Sequence, residues 1–185
     1  MAEFPKRIDC GDCELVKPEV TFSKSQEFFD VIVKNKEFLL EWLDWPNYYS
    51  KPEDAYNYLK TVENVKGSSY LIQVDGKIVG GHGFVNFNEE YKFAELGYWL
   101  APDFNGRGLV VRGIAALENL AFGQFGLNRL QIKVDTENVK SQAVAVRAGY
   151  VKEGILRHGY VLHGAPRDVI VYSKLKSEWE KGKVK

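Results

Sequence analysis

The chain has 185 residues, of which 45% are hydrophobic and 27% charged, and its 25 Lys+Arg balance its 25 Asp+Glu. This length and composition are typical of one globular domain and exclude a disordered or fibrous chain, so we expect residues 1–185 to form a single domain. A net charge of zero does not indicate the excess of positive charge that is typical of nucleic-acid-binding proteins, so no nucleic-acid partner is expected.

The N-terminal segment and the two cysteines indicate a cytoplasmic protein. The first ten residues contain no apolar signal region, and no stretch approaches the ~18 apolar residues of a membrane span, so no membrane partner is expected. Cys10 and Cys13 are too few and too close together for a disulfide framework. Their spacing is that of half a zinc site, but there is no second pair and the three histidines are scattered, so no metal is expected.

The first half of the chain has a helical pattern. Apolar residues recur at helical spacings within residues 22–66, and Ser50-Lys51-Pro52-Glu53 is typical of a helix start with proline in the first turn. Strands follow at residues 69–74 and 77–86, joined by Asp75-Gly76, which is the strongest short hairpin signal.

The second half predicts a central sheet with helices on both faces. Residues 91–100 are apolar on both alternations, which indicates a strand covered on both sides. A break at residues 101–106 precedes a helical stripe, and a strand at 129–134 is followed by a helix at 140–148 ending at Gly149. A strand pair at 150–175 turns near residues 163–166, and a short helix contains Trp179. The helical stripe consists of Val110, Ile114, Leu117 and Ala121.

The turn Asn105-Gly106-Arg107-Gly108 lies between a strand and a helix. Glycines there let an anion approach the unpaired amides and the positive dipole of the first helical turn, and Arg107 and Arg112 add charge. The dinucleotide fingerprint would need glycine where Val111 stands, and no P-loop motif occurs. The turn therefore predicts a site for another phosphate ligand, the alternative being a glycine turn that only starts a helix.

The same turn, extended through Leu109 and Val110, resembles the acetyl-CoA loop Q/R-x-x-G-x-G/A of the GNAT N-acetyltransferase superfamily, although Asn105 and Val110 depart from it at both ends. Residues 95–100 resemble the strand before that loop. Residues 138–150 resemble the family's N-x-x-S segment, with Gly149 eleven positions after Asn138. Residues 41–46 and 153–168 resemble the substrate-side helix and C-terminal hairpin of the RimJ/RimL-type branch, the ribosomal-protein alanine/serine N-terminal acetyltransferases.

The resemblance implies a fold, a co-substrate and an acceptor. The fold is the α/β (α+β) GNAT fold, a three-layer αβα arrangement whose mixed sheet has splayed fourth and fifth strands. The co-substrate is acetyl-CoA without a metal, the acceptor is the N-terminal α-amine of a protein such as a ribosomal protein, and a homodimer is implied. The expected acetyl-CoA contacts are Trp99, Leu100, Asn105, Gly106, Arg107, Gly108, Leu109, Val110, Asn138 and Ser141.

Two residues are candidates for the chemistry. Glu95 is a lone carboxylate in an apolar strand and is the expected general base, the alternative being that it faces solvent or pairs with an arginine such as Arg129. Many GNAT enzymes carry a tyrosine acid where this chain has Ala145, so the resemblance assigns the thiolate hydrogen bond to Ser141. Asn138 and Ser141 also stand at a helix start, where capping is the alternative explanation.

For binding of the acceptor and of the oxyanion, the sequence indicates regions rather than single residues. A backbone N–H between Trp99 and Ala101 is the expected oxyanion donor. The resemblance places Trp42, Trp45, Tyr48 and Tyr49 at the acceptor site, where they are expected to hold the acceptor's first residue, although an aromatic stripe is also typical of a core.

Two alternative functions stay open at the level of sequence. The first is a polyamine or aminoglycoside N-acetyltransferase, for which Asp44, Glu53 and Asp54 could supply an acidic pocket. The second is a non-catalytic acyl-CoA-binding sensor, which the departures at Asn105, Val110 and Ala145 permit.

Overall fold

The structure is a computed structural model that describes residues 3–63 and 69–182. The predicted helical region ended at residue 66, and that boundary lies outside the described residues. The chain divides into two compact units. We call Phe4–Gly83 with Tyr98–Gly113 the N-terminal unit, and Phe84–Gly97 with Ile114–Lys185, together with Met1–Glu3, the C-terminal unit. The strands Lys77–Asn88 and Phe93–Leu100 and the helix Leu109–Glu118 each contribute residues to both units.

The described residues form eight strands: β1 (Arg7–Asp9), β2 (Glu14–Val16), β3 (Tyr70–Val74), β4 (Lys77–Asn88), β5 (Phe93–Leu100), β6 (Arg129–Asp135), β7 (Val151–Leu162) and β8 (Ala165–Leu175). They have the order β1-β2-β3-β4-β5-β6-β8-β7 in one mixed sheet, as the resemblance implies. The helices are α1 (Phe22–Lys34), α2 (Lys36–Leu40), α3 (Pro52–Glu63), α4 (Leu109–Glu118), α5 (Val139–Arg147) and α6 (Lys176–Gly182). Within the described residues, no helix is long and apolar enough to span a bilayer.

In the N-terminal unit, the predicted helical region consists of three helices and a short 3-10 turn at Trp45–Tyr48. Helix α3 begins at Pro52, as predicted, because the Asp54 carboxylate accepts hydrogen bonds from the backbone N–H groups of Ser50 and Lys51 at 2.9 and 3.0 Å. The core between α1, α3 and the strands is built from residues that are almost completely buried. They are Phe28, Ile32, Tyr49, Ala55, Leu59, Leu71 and Ile78.

The predicted hairpin between β3 and β4 is confirmed. Asp75 and Gly76 both have positive φ, at 51° and 73°, which is the conformation that this two-residue turn requires. The hairpin β1–β2 at the N-terminus was not predicted, because its strands have only three residues each and carry little periodic signal.

In the C-terminal unit, β6 pairs antiparallel with β8, and β8 pairs antiparallel with β7. The parallel ladder of β5 and β6 is short, since it joins only Phe93–Glu95 to Arg129–Gln131. The described pairing of the two strands ends at Glu95 and Gln131. Among the described pairs, neither Leu96 nor Gly97 is paired with a later residue of β6. The two strands thus part after one short paired segment. The strand that ends near Trp99, which the resemblance counts as the fourth, is the fifth in this chain because the unpredicted β1–β2 hairpin adds a strand at the N-terminus.

Candidate active site

The glycine loop starts helix α4 in the N-terminal unit. Asn105–Gly108 are exposed, and Gly106 and Gly108 have φ of 77° and 72°. A Cβ at Gly106 would meet nothing within 4 Å, so this glycine is required by its backbone conformation and leaves open space above it. The loop therefore offers unobstructed amides at a helix start, as an anion site needs.

Two arginines surround this loop. The Arg107 guanidinium lies over the Phe104 ring, 5.5 Å from its centroid. Arg112 Nη2 donates to the Arg107 carbonyl oxygen at 3.0 Å. Because the peptide bond is planar and trans, the Gly108 N–H points in the direction opposite to that carbonyl. Arg112 thus fixes the direction in which the Gly108 amide is presented.

The last two residues predicted for the loop differ from the others. Leu109 and Val110 are 1% and 7% exposed, respectively. They form part of the core, so their side chains are not available to contact a ligand.

The end of β5 defines which amides are free for an oxyanion. The Ala101 N–H donates to the Val79 carbonyl at 2.8 Å, so it is already used. Since successive N–H groups along a strand point to opposite sides, the Leu100 N–H points away from β4. Among the amides from Trp99 to Ala101, the Leu100 N–H is therefore the one that does not point toward β4, and it is the candidate donor to an oxyanion.

Gly80 and Gly81 allow Trp99 to lie close to β4. A Cβ at Gly80 would be 2.4 Å from the Trp99 carbonyl oxygen, and one at Gly81 would be 2.3 Å from Trp99 Nε1. Any side chain at either position would therefore displace Trp99.

The structure separates the aromatic residues predicted for the acceptor. Trp45 packs edge-on against Trp99, with ring centroids 5.6 Å apart, and also against Tyr49. Tyr48 is 74% exposed, and Trp42 is half-buried just after α2. Trp45 is thus brought together with another predicted site residue, whereas Tyr48 projects into solvent. Tyr49 is 6% exposed and packs in the core, so the alternative explanation of a core residue is correct for it.

Glu95 lies at the last paired position of the β5–β6 ladder in the C-terminal unit, and its side chain is 13% exposed. Its Oε2 accepts a hydrogen bond from Gln131 Nε2 at 2.8 Å and lies 3.0 Å from Lys133 Nζ. Arg129, the arginine considered as its partner, instead binds both carboxylate oxygens of Glu153. Gln131 and Lys133 were missed by sequence analysis, although their alternation along β6 places them on one face.

Asn138 and Ser141 meet at the start of α5, also in the C-terminal unit. Asn138 is the N-cap, and its Oδ1 accepts from the Ser141 backbone N–H at 3.0 Å. The capping role of Asn138 is therefore present in the structure, and it leaves the Ser141 hydroxyl out of the cap bond. Ala145, the position for which the resemblance implies a tyrosine in many family members, is completely buried.

Asp135, which ends β6, holds the segment that leads to Asn138. Its buried carboxylate accepts from Tyr160 Oη, Arg167 Nε and the Glu137 N–H at 2.8 to 2.9 Å. Burial alone would raise the pKa of Asp135, but the hydrogen bonds from Arg167, Glu137 and Tyr160 outweigh it and lower that pKa. Sequence analysis did not single out this carboxylate, since its side-chain partners Tyr160 and Arg167 are 25 and 32 residues away along the chain.

Comparison with known proteins shows which family the chain belongs to. Residues 19–151 match the family model described as an acetyltransferase (GNAT) domain. YdaF of Bacillus subtilis is 30% identical over 164 residues, covering 84% of this chain and 88% of that protein. The ribosomal-protein-serine acetyltransferase of Escherichia coli K12 is 32% identical over 155 residues, covering 80% and 84%.

Solved structures give the same assignment. The microcin C7 self-immunity acetyltransferase MccE, in complex with acetyl-CoA and AMP, superposes with a TM-score of 0.86 at 29% identity and covers 94% of this chain and 98% of its own. RimL, a ribosomal L7/L12 α-N-protein acetyltransferase in complex with coenzyme A, superposes with a TM-score of 0.85 at 26% identity and covers 93% and 99%. The chain therefore belongs to the GNAT acetyltransferase family.

Proposed function

We propose that this acetyltransferase moves the acetyl group of acetyl-CoA to the N-terminal α-amine of a protein, such as a ribosomal protein. The observation that carries the proposal is the position of Glu95, a largely buried carboxylate at the point where β5 and β6 part. The names of the Escherichia coli relative and of RimL support the acceptor class.

The glycine loop is proposed to bind the pyrophosphate of acetyl-CoA. The exposed amides of Gly106, Arg107 and Gly108 suit a phosphate because the loop carries positive φ and no obstructing side chain. Arg107 supplies a positive charge beside them. Asn105, Leu109 and Val110 are proposed to contribute through the backbone.

Glu95 is proposed to accept the proton of the attacking amine, directly or through a water molecule. An α-amine has a pKa near 7.7–8.0, so about a tenth of it is neutral at pH 7 and a modest base suffices. The hydrogen bond from Gln131 and the ion pair with Lys133 orient the carboxylate.

In the proposed reaction, the amine nitrogen forms a bond to the thioester carbon, and the carbonyl oxygen becomes an oxyanion. The Leu100 N–H is proposed as its donor, with Trp99 lining the same strand end. The C–S bond then breaks, the amine proton leaves to Glu95, and the thiolate takes up a proton. Ser141 is proposed to hydrogen-bond that thiolate, and Asn138 to hold the start of α5 beside it.

The acceptor is proposed to contact the aromatic residues before α3. Tyr48 is the residue with the most open ring, while Trp45 and Trp42 would form the less exposed part of the surface. A homodimer is proposed from the resemblance alone.

The experiment measures the release of free CoA thiol from acetyl-CoA with two acceptor pools. One pool contains peptides starting with Ser, Ala or Met, and the other contains polyamines and aminoglycosides. Release with the peptides supports the proposal, and sorting by first residue then defines the preference. Release only with the second pool would move the function to small-molecule modification, and binding of acetyl-CoA without release in either pool would favour a sensor.

A further inference from the structure

The two cysteines lie opposite each other at the turn between β1 and β2. The last paired residues of this ladder are Asp9 and Glu14, so Cys10 and Cys13 come next on the two strands. The Cys10 N–H donates to the Cys13 carbonyl at 2.9 Å. Directly opposed residues of an antiparallel ladder have Cα atoms about 4.5–5.5 Å apart. This separation lies within the roughly 4.4–6.8 Å that a disulfide spans.

The two thiols are also in contact with each other. A hydrogen bond joins the Cys10 and Cys13 side chains, and Arg112 forms a second hydrogen bond to Cys13. The bond from Cys10 and the charge of Arg112 outweigh burial and lower the pKa of Cys13 to about 7. The hydrogen bond with Cys13 and burial raise the pKa of Cys10, so the first proton lost from the pair leaves one thiolate. A thiolate is the nucleophile in thiol–disulfide exchange, so the pair supplies one nucleophilic sulfur near neutral pH.

Access to the two sulfur atoms is unequal. Cys10 is half-buried, whereas Cys13 is only 3% exposed. A reagent from solvent therefore reaches Cys10 first, and Cys13 is placed to react with whatever is bound there.

Arg112 connects this pair to the glycine loop. Its Nη2 atom donates both to Asp12 Oδ2 in the cysteine turn and to the Arg107 carbonyl oxygen in the loop, each at 3.0 Å. Its Nη1 atom lies 3.3 Å from the position that a Cβ on Gly108 would occupy. One guanidinium thus contacts the cysteine turn and also fixes the direction of the Gly108 amide.

We propose that Cys10 and Cys13 are a redox modification site that takes a low-molecular-weight disulfide as its oxidant, and that Arg112 couples its oxidation to the glycine loop. The coupling rests on the proposed function of the loop, whereas the modification itself does not. Among the described residues, these are the two free cysteines.

The reaction balances as two exchanges. The Cys13 thiolate takes the proton of the Cys10 thiol, to which it is hydrogen-bonded, and the resulting Cys10 thiolate attacks the disulfide RSSR. The S–S bond of RSSR breaks, and the first RS⁻ leaves and takes up the proton from Cys13. The Cys13 thiolate then attacks the Cys10 sulfur and expels the second RS⁻, which takes up a proton from solvent. The protein loses two hydrogen atoms and gains one S–S bond, while RSSR takes up two electrons and two protons to become two RSH.

Oxidation changes the surroundings of Arg112. The charged Cys13 acceptor becomes a neutral disulfide sulfur, so the guanidinium keeps its ion pair with Asp12 but loses its charged contact with Cys13. The Arg107 carbonyl is then held less firmly, and the Gly108 amide is presented less well. We expect the dissociation constant for the pyrophosphate-bearing ligand to rise about fivefold, at the lower end of typical coupling between sites.

The first test exposes the reduced protein to oxidised glutathione, blocks free thiols and measures intact mass. The expected product is a protein lighter by two hydrogen atoms without bound glutathione. Cys13→Ser should instead trap glutathione on Cys10, whereas Cys10→Ser should react slowly because Cys13 is buried. A stable glutathione adduct on the unmodified chain, or no reaction at all, would overturn the proposal.

The second test measures binding of desulfo-CoA, which lacks the thiol that would reduce the disulfide. Oxidised and reduced protein are compared, and the double variant Cys10→Ser/Cys13→Ser serves as the control that oxidation leaves unchanged. Equal dissociation constants in the two states would overturn the coupling. Both readouts are independent of turnover, so a chain that bound the analogue without transferring acetyl would refute the proposed function and leave this inference supported.

Discussion

Gln131 Nε2 donates to Glu95 Oε2 at 2.8 Å, and these two residues are the last pair of the β5–β6 ladder. The hydrogen bond thus orients the proposed base at the place where the two strands part. Lys133, two residues farther along β6, adds an ion pair to the same oxygen.

Replacing the proposed base should reduce turnover without weakening co-substrate binding. We expect Glu95→Gln to lower kcat about 100-fold at pH 7, with the KM for acetyl-CoA unchanged within about twofold. The loss should shrink at higher pH, where more of the α-amine is already neutral. Steady-state rates from pH 6 to 9 test this, with Glu90→Gln as the control because Glu90 is an exposed carboxylate. An unchanged kcat for Glu95→Gln would remove Glu95 from the mechanism.

The proposed thiolate donor can be separated from the helix cap. Because Asn138 Oδ1 accepts from the backbone N–H of Ser141, Ser141→Ala keeps the cap and removes only the hydroxyl. We expect it to lower kcat about tenfold, the lower range for a single proton donor or hydrogen bond, with an unchanged free energy of unfolding. Asn138→Ala should cost about 1 kcal/mol in unfolding free energy as a lost cap. If Ser141→Ala kept full kcat, this segment would serve only to start α5.

The glycine loop offers a matched pair of substitutions. Gly106 and Gly126 both have positive φ and open space where a Cβ would stand, so alanine should strain both backbones similarly, by about 1 kcal/mol. Only Gly106→Ala should raise the KM for acetyl-CoA, by about tenfold, because its Cβ would obstruct the phosphate. Thermal unfolding and steady-state kinetics of both variants provide the comparison. Equal KM values would indicate that the loop only starts α4.

The ion pair between Asp135, at the end of β6, and Arg167 should make the free energy of unfolding depend on pH in acid. Since Asp135 has a lowered pKa in the folded state, its ionisation stabilises the fold above its ordinary pKa of 3.8, and this stabilisation is lost as the pH falls through the folded-state value. Arg167→Met should cost about 3 kcal/mol at pH 7, because it leaves a buried carboxylate without its cation. The difference in unfolding free energy between Arg167→Met and the unmodified chain should become smaller toward pH 3.

Denaturant unfolding at pH 7 and pH 3 measures this effect. Arg129→Met is the control, since its partner Glu153 is 42% exposed and such a pair contributes at most about 1 kcal/mol. Similar losses for the two variants at pH 7 would contradict the role given to Asp135.

Local signals account for the parts of the fold that sequence analysis predicted. Asp75-Gly76 sets its own backbone conformation, and the stripe from Val110 to Ala121 is buried as a helical face. The strand, glycine turn and helix around Gly106 were predicted for the same reason.

Contacts between distant segments account for what was missed. Gln131 and Lys133 reach Glu95 only because β6 pairs with β5, and nothing near them in the chain indicates that partner. Arg112 was expected to add charge to the loop, but its contacts with Asp12 and Arg107 depend on how the β1–β2 turn packs. The predicted helical region was also interrupted, since the 3-10 turn at Trp45–Tyr48 depends on packing against Trp99 as well as on Pro46.

The central claim, direct transfer of acetyl to an N-terminal α-amine, is tested most directly with two versions of one peptide. Both begin with serine and contain one lysine, but the second has its α-amine blocked by a formyl group. With acetyl-CoA and the enzyme, the account predicts one acetyl group on the α-amine of the free peptide, none on the blocked peptide and none retained on the enzyme. Acetylation of the blocked peptide at lysine, or an acetylated enzyme formed without acceptor, would contradict it.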